Sequence, residues 1–288
     1  MSPTLVRHQL PHSGSTRCDD PPAPARSRAR TRDWAEIQER MLVPLYEAAY
    51  DRLGIGPGTR LLGLGCGSGL ALLLAAARGA QVSGVDADES RLELARERLT
   101  PDGMPEHTRV VSGGLEAAAP GDAAFNVVTA FHPVGCVSTV EGLTASLTAA
   151  AGLAERGSAV VLGGWGPVER CATAGVLRVA QRLADPPGDH VIGSRGWRPS
   201  GRDDLEDLAE RAGLRPDGSG RVACPFGYAD PASAVRGLLS TGLFDAALEA
   251  AEQRQVEKEL AEALHPYQRA DGTVWMPNVF RYLIARTR

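Results

Sequence analysis

A mostly parallel β-sheet covered by helices on both faces is the α/β fold this sequence predicts, and three observations predict it. Short apolar segments with strand character alternate with helical segments along most of the 288 residues. Three closely spaced glycines, Gly65, Gly67 and Gly69, follow the first strand and open a helix. An acid, Asp86, closes the second strand 21 residues after Gly65.

Residues 1–31 carry Pro11, Pro21, Pro22, Pro24 and several arginines without apolar periodicity, and are expected to be a disordered tail. The folded domain is expected over 32–288. Trp34, Ile37, Met41, Leu45 and Ala48 recur at helical spacing, and Pro44 should kink or split that helix. After the Gly56-Pro-Gly58 turn, strands are expected at 60–64, 81–86, 108–112, 125–130 and 158–163, with helices at 70–78 and 89–99 among the connections. The last third differs. A helix at 203–212, a short strand at 222–225 and strand-like content over 274–286 bracket a strongly helical stretch, and 231–270 reads as a helical lid insertion.

Composition narrows the function. A net charge of −4 offers no general attraction to a phosphate backbone, so no nucleic-acid partner is expected. No apolar run approaches the ~18 residues of a membrane span, and the start of the chain lacks the apolar core of a secretory signal. The five cysteines are scattered and form no CxxC pair, which suits a reducing cytoplasm and suggests neither a disulfide framework nor a metal site.

The richest signal is Leu61-Leu-Gly-Leu-Gly-Cys-Gly-Ser-Gly69. Glycines at a strand end admit positive φ and let a ligand lie against the backbone, while the next helix offers unpaired N–H groups. An acid placed like Asp86 reaches the ribose of a nucleoside. A dinucleotide prefers G-x-G-x-x-G, whose third glycine position here holds Leu70; the tighter G-x-G-x-G spacing favours S-adenosylmethionine.

On these residues, with Gly84-Val-Asp86, Arg91–Leu99, Phe125-Asn-Val-Val128, Trp165-Gly166 and Phe280-Arg-Tyr-Leu283, the chain resembles class I SAM-dependent methyltransferases of the ubiquinone/menaquinone-biosynthesis-like, small-molecule branch. The resemblance implies a Rossmann-like, seven-stranded sheet with one antiparallel strand. It implies that Gly65, Cys66, Gly67 and Gly69 form the loop at the methionine end of the cofactor, that Asp86 holds the ribose and that Ala87 lies beside the adenine. Gly114, Leu115 and Glu116 would flank the adenine, Phe131 would lie near the sulfonium, and Trp34 and Gln38 would close over the cofactor. Two positions depart from the pattern: the family usually has an acid where this chain has Gly63, and commonly another where it has Gly114.

His132, just beyond the fourth strand, is the best-placed general base for an acceptor that must lose a proton; capping of the strand beside Pro133 is its other reading. His265 reads as a surface residue or a substrate contact, and Cys136 as a packed thiol or a nucleophile. Trp165, Trp197, Phe226, Tyr228, Phe244 and Trp275 are candidates for an apolar acceptor pocket or for ordinary core. The expected activity is methyl transfer from SAM to a small apolar acceptor, in natural-product biosynthesis. The alternatives are a non-methylating reaction such as cyclisation on the same fold, a nicotinamide-dependent oxidoreductase, and a non-catalytic binding protein.

Overall fold

The structure, a computed structural model, describes residues 23–100, 108–112, 115–118, 124–131, 140–184 and 203–288. Helix α1 (Ala23–Asp33) leads into a π-helical turn at Trp34–Gln38, a 3-10 turn at Glu39–Leu42 and helix α2 (Val43–Leu53). Pro44 falls in the first turn of α2, where its missing N–H costs nothing. Then come β1 (Arg60–Leu64), α3 (Leu70–Ala77), β2 (Gln81–Asp86), α4 (Glu89–Leu99), β3 (Thr108–Ser112) and β4 (Phe125–Ala130). Helix α5 (Val140–Gly152), β5 (Ala154–Trp165), α6 (Thr173–Leu183), α7 (Asp204–Arg211) and β6 (Arg215–Ala223) follow. The chain ends with β7 (Phe226–Tyr228), α8 (Pro231–Leu239), α9 (Asp245–Ala250), α10 (Gln253–Leu264), β8 (Val274–Met276) and β9 (Val279–Arg286).

Seven strands form one sheet in the order β3-β2-β1-β4-β5-β9-β6, and β7 pairs with β8 in a separate ribbon. β1 to β5 run parallel, and β9 inserts antiparallel between β5 and β6. This is the expected sheet with its one antiparallel strand.

Alternation along the strands builds a core on each face. Leu61, Val127, Val161 and Ile284 join one apolar cluster with α2, α3 and the late helices, while Leu62, Val128, Val160 and Leu283 join another with α5 and α7. Both faces of the central strands are dry, which is why those strands read as near-continuous apolar runs.

Three boundaries differ from expectation. Residues 23–33 are helical, so the expected tail ends sooner; residues 1–22 lie outside the described residues. The strand expected at 222–225 is the end of a nine-residue strand, β6. The strand-like stretch over 274–286 divides into β8 and β9, with the buried Asn278 between them. Asn278 accepts from the Thr173 amide at 3.1 Å.

The helices α8, α9 and α10 form the insertion expected before the last strand. The insertion packs on the leading segment: a Cβ at Gly237 of α8 would meet Ile37, Gln38 and Tyr228 at 2.9–3.1 Å. Ion pairs lock the same layer. Arg30 reaches the Leu239 carbonyl at 3.1 Å and Asp245 at 2.5 Å, and Arg236 reaches Asp33 at 2.9 Å.

Candidate functional site

β2, β1 and β4 are neighbours in the sheet, so Asp86, the glycine loop and Phe131 come to adjacent strand ends. The strand order reverses between β1 and β4, and ligands of open α/β sheets bind outside the carboxyl ends at such a reversal.

Gly65, Gly67 and Gly69 have φ of 60°, 58° and 81°, which L side chains rarely adopt. The coil they make turns its amides inward. Cys66 N–H donates to the Val85 carbonyl at 3.0 Å, continuing the β1–β2 ladder past its end. Gly67 N–H donates to Asp86 Oδ2 at 2.8 Å, and Asp88 N–H donates to Asp86 Oδ1 at 2.9 Å. The Asp86 carboxylate therefore faces the loop across the β1–β2 gap and keeps lone pairs free for further donors. Asp88 caps α4, accepting from Ser90 N–H at 2.9 Å.

Gly63 and Gly84 form a paired recess beneath the loop. A Cβ at Gly63 would lie 2.9 Å from Leu72 Cδ2, and one at Gly84 would lie 2.5 Å from Leu72 Cδ1 and 2.9 Å from Cys66 Sγ. Leu72 of α3 fills the place that a side chain at position 63 would take. Gly69 also answers to packing: its Cβ would meet the Ala95 Cβ of α4 at 2.9 Å. Gly69 therefore also serves as a spacer between α3 and α4.

Sequence reasoning missed the most deeply buried charge at the loop. Glu39 is fully buried, and its Oε2 accepts from the Ser68 hydroxyl and from Arg98 Nη1, the latter at 2.6 Å. Arg98 also donates to the Ser68 carbonyl at 3.0 Å and to the Ala35 carbonyl at 2.8 Å. Glu39 Oε1 has no hydrogen-bond partner. Burial pushes the Glu39 carboxyl above its ordinary value, opposed by Ser68, Arg98 and the Leu70 amide at the head of α3. In a regular α-helix Glu39 would be turned about 140° from Trp34. The π turn, closed by Glu39 N–H on the Trp34 carbonyl, alters that register. Such single turns are frequent at functional sites. An acid outside the apolar stripe was the available signal, and α-helical periodicity hides it.

The other expected residues divide. Trp34 is buried with the Arg91 guanidinium 5.4 Å over its ring, and Gln38 Oε1 accepts from Tyr228 at 2.8 Å, tying the leading segment to β7. The Phe131 ring is core, 4.9 Å from Tyr46 and 5.7 Å from Tyr50, which leaves its backbone for any ligand at the strand end. Ala87 is exposed beside Asp86. Leu115 is half-buried and starts a 3-10 turn after β3, whose Ser112 is in register with Asp86. Glu116 lies in that turn. Gly114, His132, Cys136 and Trp197 fall outside the described residues.

His265 is exposed at the end of α10. Trp165, Phe226 and Phe280 stack with centroids 4.5–6.0 Å apart, all buried, so this part of the expected pocket is core. Tyr228 and Phe244 are buried too, whereas Trp275 is exposed beneath Arg269, 4.6 Å from its ring. Burial also pushes the Cys66 thiol far up, which removes it as a nucleophile.

Residues 61–157 match the model of a family described as a methyltransferase domain. The methyltransferase GfsG of Streptomyces halstedii is 41% identical over 71 residues, which span 24% of this chain and 24% of that protein. Among solved structures, YcgJ from Bacillus subtilis superposes with a TM-score of 0.55 at 16% identity, covering 84% of this chain and 97% of its own. YjhP from E. coli gives 0.54 at 19% identity, covering 91% and 100%. The family match falls on the half of the sheet that carries the glycine loop and Asp86, and the structural likeness extends the fold to the rest. Residues 61–157 are thus similar to a methyltransferase domain, and the chain as a whole shares the fold of these solved structures.

Proposed function

We propose that this chain transfers the methyl group of S-adenosylmethionine to a small apolar acceptor, as a step in natural-product biosynthesis. The observation that carries the reading is the Asp86 carboxylate held 2.8 Å from the Gly67 amide, facing a loop whose glycines adopt left-handed backbone. The residues fit the cofactor by their chemistry. Gly65 and Gly67 admit close approach, Asp86 has acceptor capacity left for two ribose hydroxyls, and Leu70 denies the glycine spacing a dinucleotide uses. Ala87, Leu115 and Glu116 follow the strand ends where the adenine would lie.

When bound, the cofactor supplies a methyl group on a cationic sulfur, open to in-line displacement. The protein's part is to orient. The loop and Asp86 fix the adenosyl group, and the insertion packed on Trp34–Leu42 excludes water as a lid. Holding acceptor and methyl in line contributes about 7–11 kcal/mol. His132, next after Phe131, takes the acceptor's proton where one must be lost. Free Cys66, Cys171 and Cys224 accord with a reducing cytoplasm, and no helix among the described residues is long and apolar enough to cross a membrane.

Cyclisation on the same fold is the second reading, favoured by Gly63 and Gly114, where the resembled family has acids. The Leu72 Cδ2 methyl packed against Gly63 weakens the argument from that position, because a side chain there would have no room.

Calorimetry with S-adenosylmethionine, S-adenosylhomocysteine and NAD tests the proposal. Micromolar binding of the two sulfur nucleosides is expected. Asp86→Ala should weaken it about 100-fold, the equivalent of ~3 kcal/mol for two charge-assisted hydrogen bonds. Tight binding of NAD instead would refute it.

A further inference from the structure

The glycine loop is held from two sides. Its first half rests on β2, where Cys66 N–H reaches the Val85 carbonyl and Gly67 N–H reaches Asp86. Its second half rests on the end of α4. A Cβ at Gly69 would meet the Ala95 Cβ at 2.9 Å and Leu99 Cδ1 at 3.5 Å. Arg98, in the last turn of the same helix, donates through Nη1 to the Ser68 carbonyl at 3.0 Å and to the Ser68 hydroxyl at 3.1 Å. Ser68 is fully buried between two glycines of left-handed backbone, which have little stiffness of their own, so such contacts set the shape of the loop.

The same guanidinium holds the leading segment. Arg98 Nη2 donates to the Ala35 carbonyl, inside the π turn, at 2.8 Å, and Nη1 reaches Glu39 Oε2 at 2.6 Å. Glu39 in turn accepts from the Ser68 hydroxyl. One planar group on α4 thus bonds a main-chain carbonyl of the loop and another of the leading segment, while the buried Glu39 carboxylate balances its charge. Lifting residues 34–42 would strip Arg98 of its counter-ion and Ser68 of its acceptor. Shifting Ser68 would leave the buried Glu39 short of a donor.

We propose that Arg98 is a positioning residue that makes the shape of the glycine loop and the docking of Trp34–Leu42 a single linked equilibrium. Arg98 acts through Ser68, and the linkage means that a ligand held by the loop also holds the leading segment in place. The inference rests on the cofactor reading above.

The test uses the full chain, S-adenosylhomocysteine as ligand, calorimetry for affinity and amide hydrogen exchange over residues 34–42 for docking. In wild type, saturating ligand should slow that exchange about tenfold. Arg98→Lys keeps a charge beside Glu39 but lacks the fork that spans two carbonyls. It should weaken binding about tenfold, and saturating ligand should then leave the exchange of residues 34–42 within about twofold of its unliganded rate. If the lysine variant fails to fold, the double variant Glu39→Gln/Arg98→Met removes both charges together and carries the same expectations. Wild-type exchange that ignores the ligand overturns the inference and leaves the cofactor reading standing. So does unchanged affinity in the variant, or weakened affinity with protection of residues 34–42 intact, since Arg98 would then merely support the fold. A wild type that binds no S-adenosylhomocysteine overturns both.

Discussion

Replacing Gly63 by alanine should destabilise the fold through a clash with Leu72. The added Cβ would stand 2.9 Å from Leu72 Cδ2, closer than carbon atoms come. Leu72 has no room to yield, because its other methyl, Cδ1, already occupies the place of a Cβ on Gly84, and the side chain is buried in the core. Relief must come from the rotamer of Leu72 or from lifting α3 off the sheet. Overpacking of this kind costs about 1–3 kcal/mol. Thermal and urea unfolding of Gly63→Ala should therefore show a midpoint lowered by several degrees with an unchanged m-value. Leu72→Ala alone should cost about 2–5 kcal/mol through the cavity it leaves. In that background the Gly63→Ala penalty should shrink, with a coupling of about 0.5–3 kcal/mol. Full stability for Gly63→Ala, or strict additivity of the pair, would show that Leu72 moves freely and that packing does not explain the absent acid.

Tyr228→Phe removes the donor on buried Gln38 Oε1 and should cost about 1–3 kcal/mol in urea unfolding; an unchanged midpoint would mean that the leading segment does not depend on β7. Burial raises the Glu39 carboxyl above its ordinary value of 4.5, so Glu39 contributes stability that is full below the ordinary carboxylate range and lost as pH rises through its raised value. The stability of wild type relative to Glu39→Gln should fall with rising pH across that window, and a pH-independent difference would contradict the direction. His132→Ala should slow turnover about 100-fold while S-adenosylhomocysteine affinity stays nearly constant. Unaltered turnover removes His132 from the mechanism.

The sheet was legible because its central strands bury both faces, so Leu61-Leu62 and Val127-Val128 announce themselves as apolar pairs. The glycine loop and Asp86 were legible because their signals are local. β6 was not. Arg215-Pro-Asp-Gly-Ser-Gly-Arg-Val-Ala223 holds residues that strands avoid, and it forms an edge strand only because β9 lies beside it, with a bulge between Pro216 and Gly218. α1 was hidden for a similar reason. Its arginines have no apolar stripe, and its place is fixed by Leu239 and Asp245, more than 200 residues away. Glu39 was invisible because one π turn displaces it from α-helical register.

The clasp between the leading segment and the β7–α9 region has a consequence for biosynthesis on the ribosome. Gln38 finds its hydroxyl partner 190 residues later, and Arg30 finds its carboxylate 215 residues later. The glycine loop and the carboxylate opposite it emerge long before α8 and α9, so the nascent chain exposes the leading segment before the helices that pack on it exist. Packing of the leading segment is thus deferred until α8 and α9 have been translated, and a chain terminated before them would leave the apolar flank of Trp34–Leu42 bare.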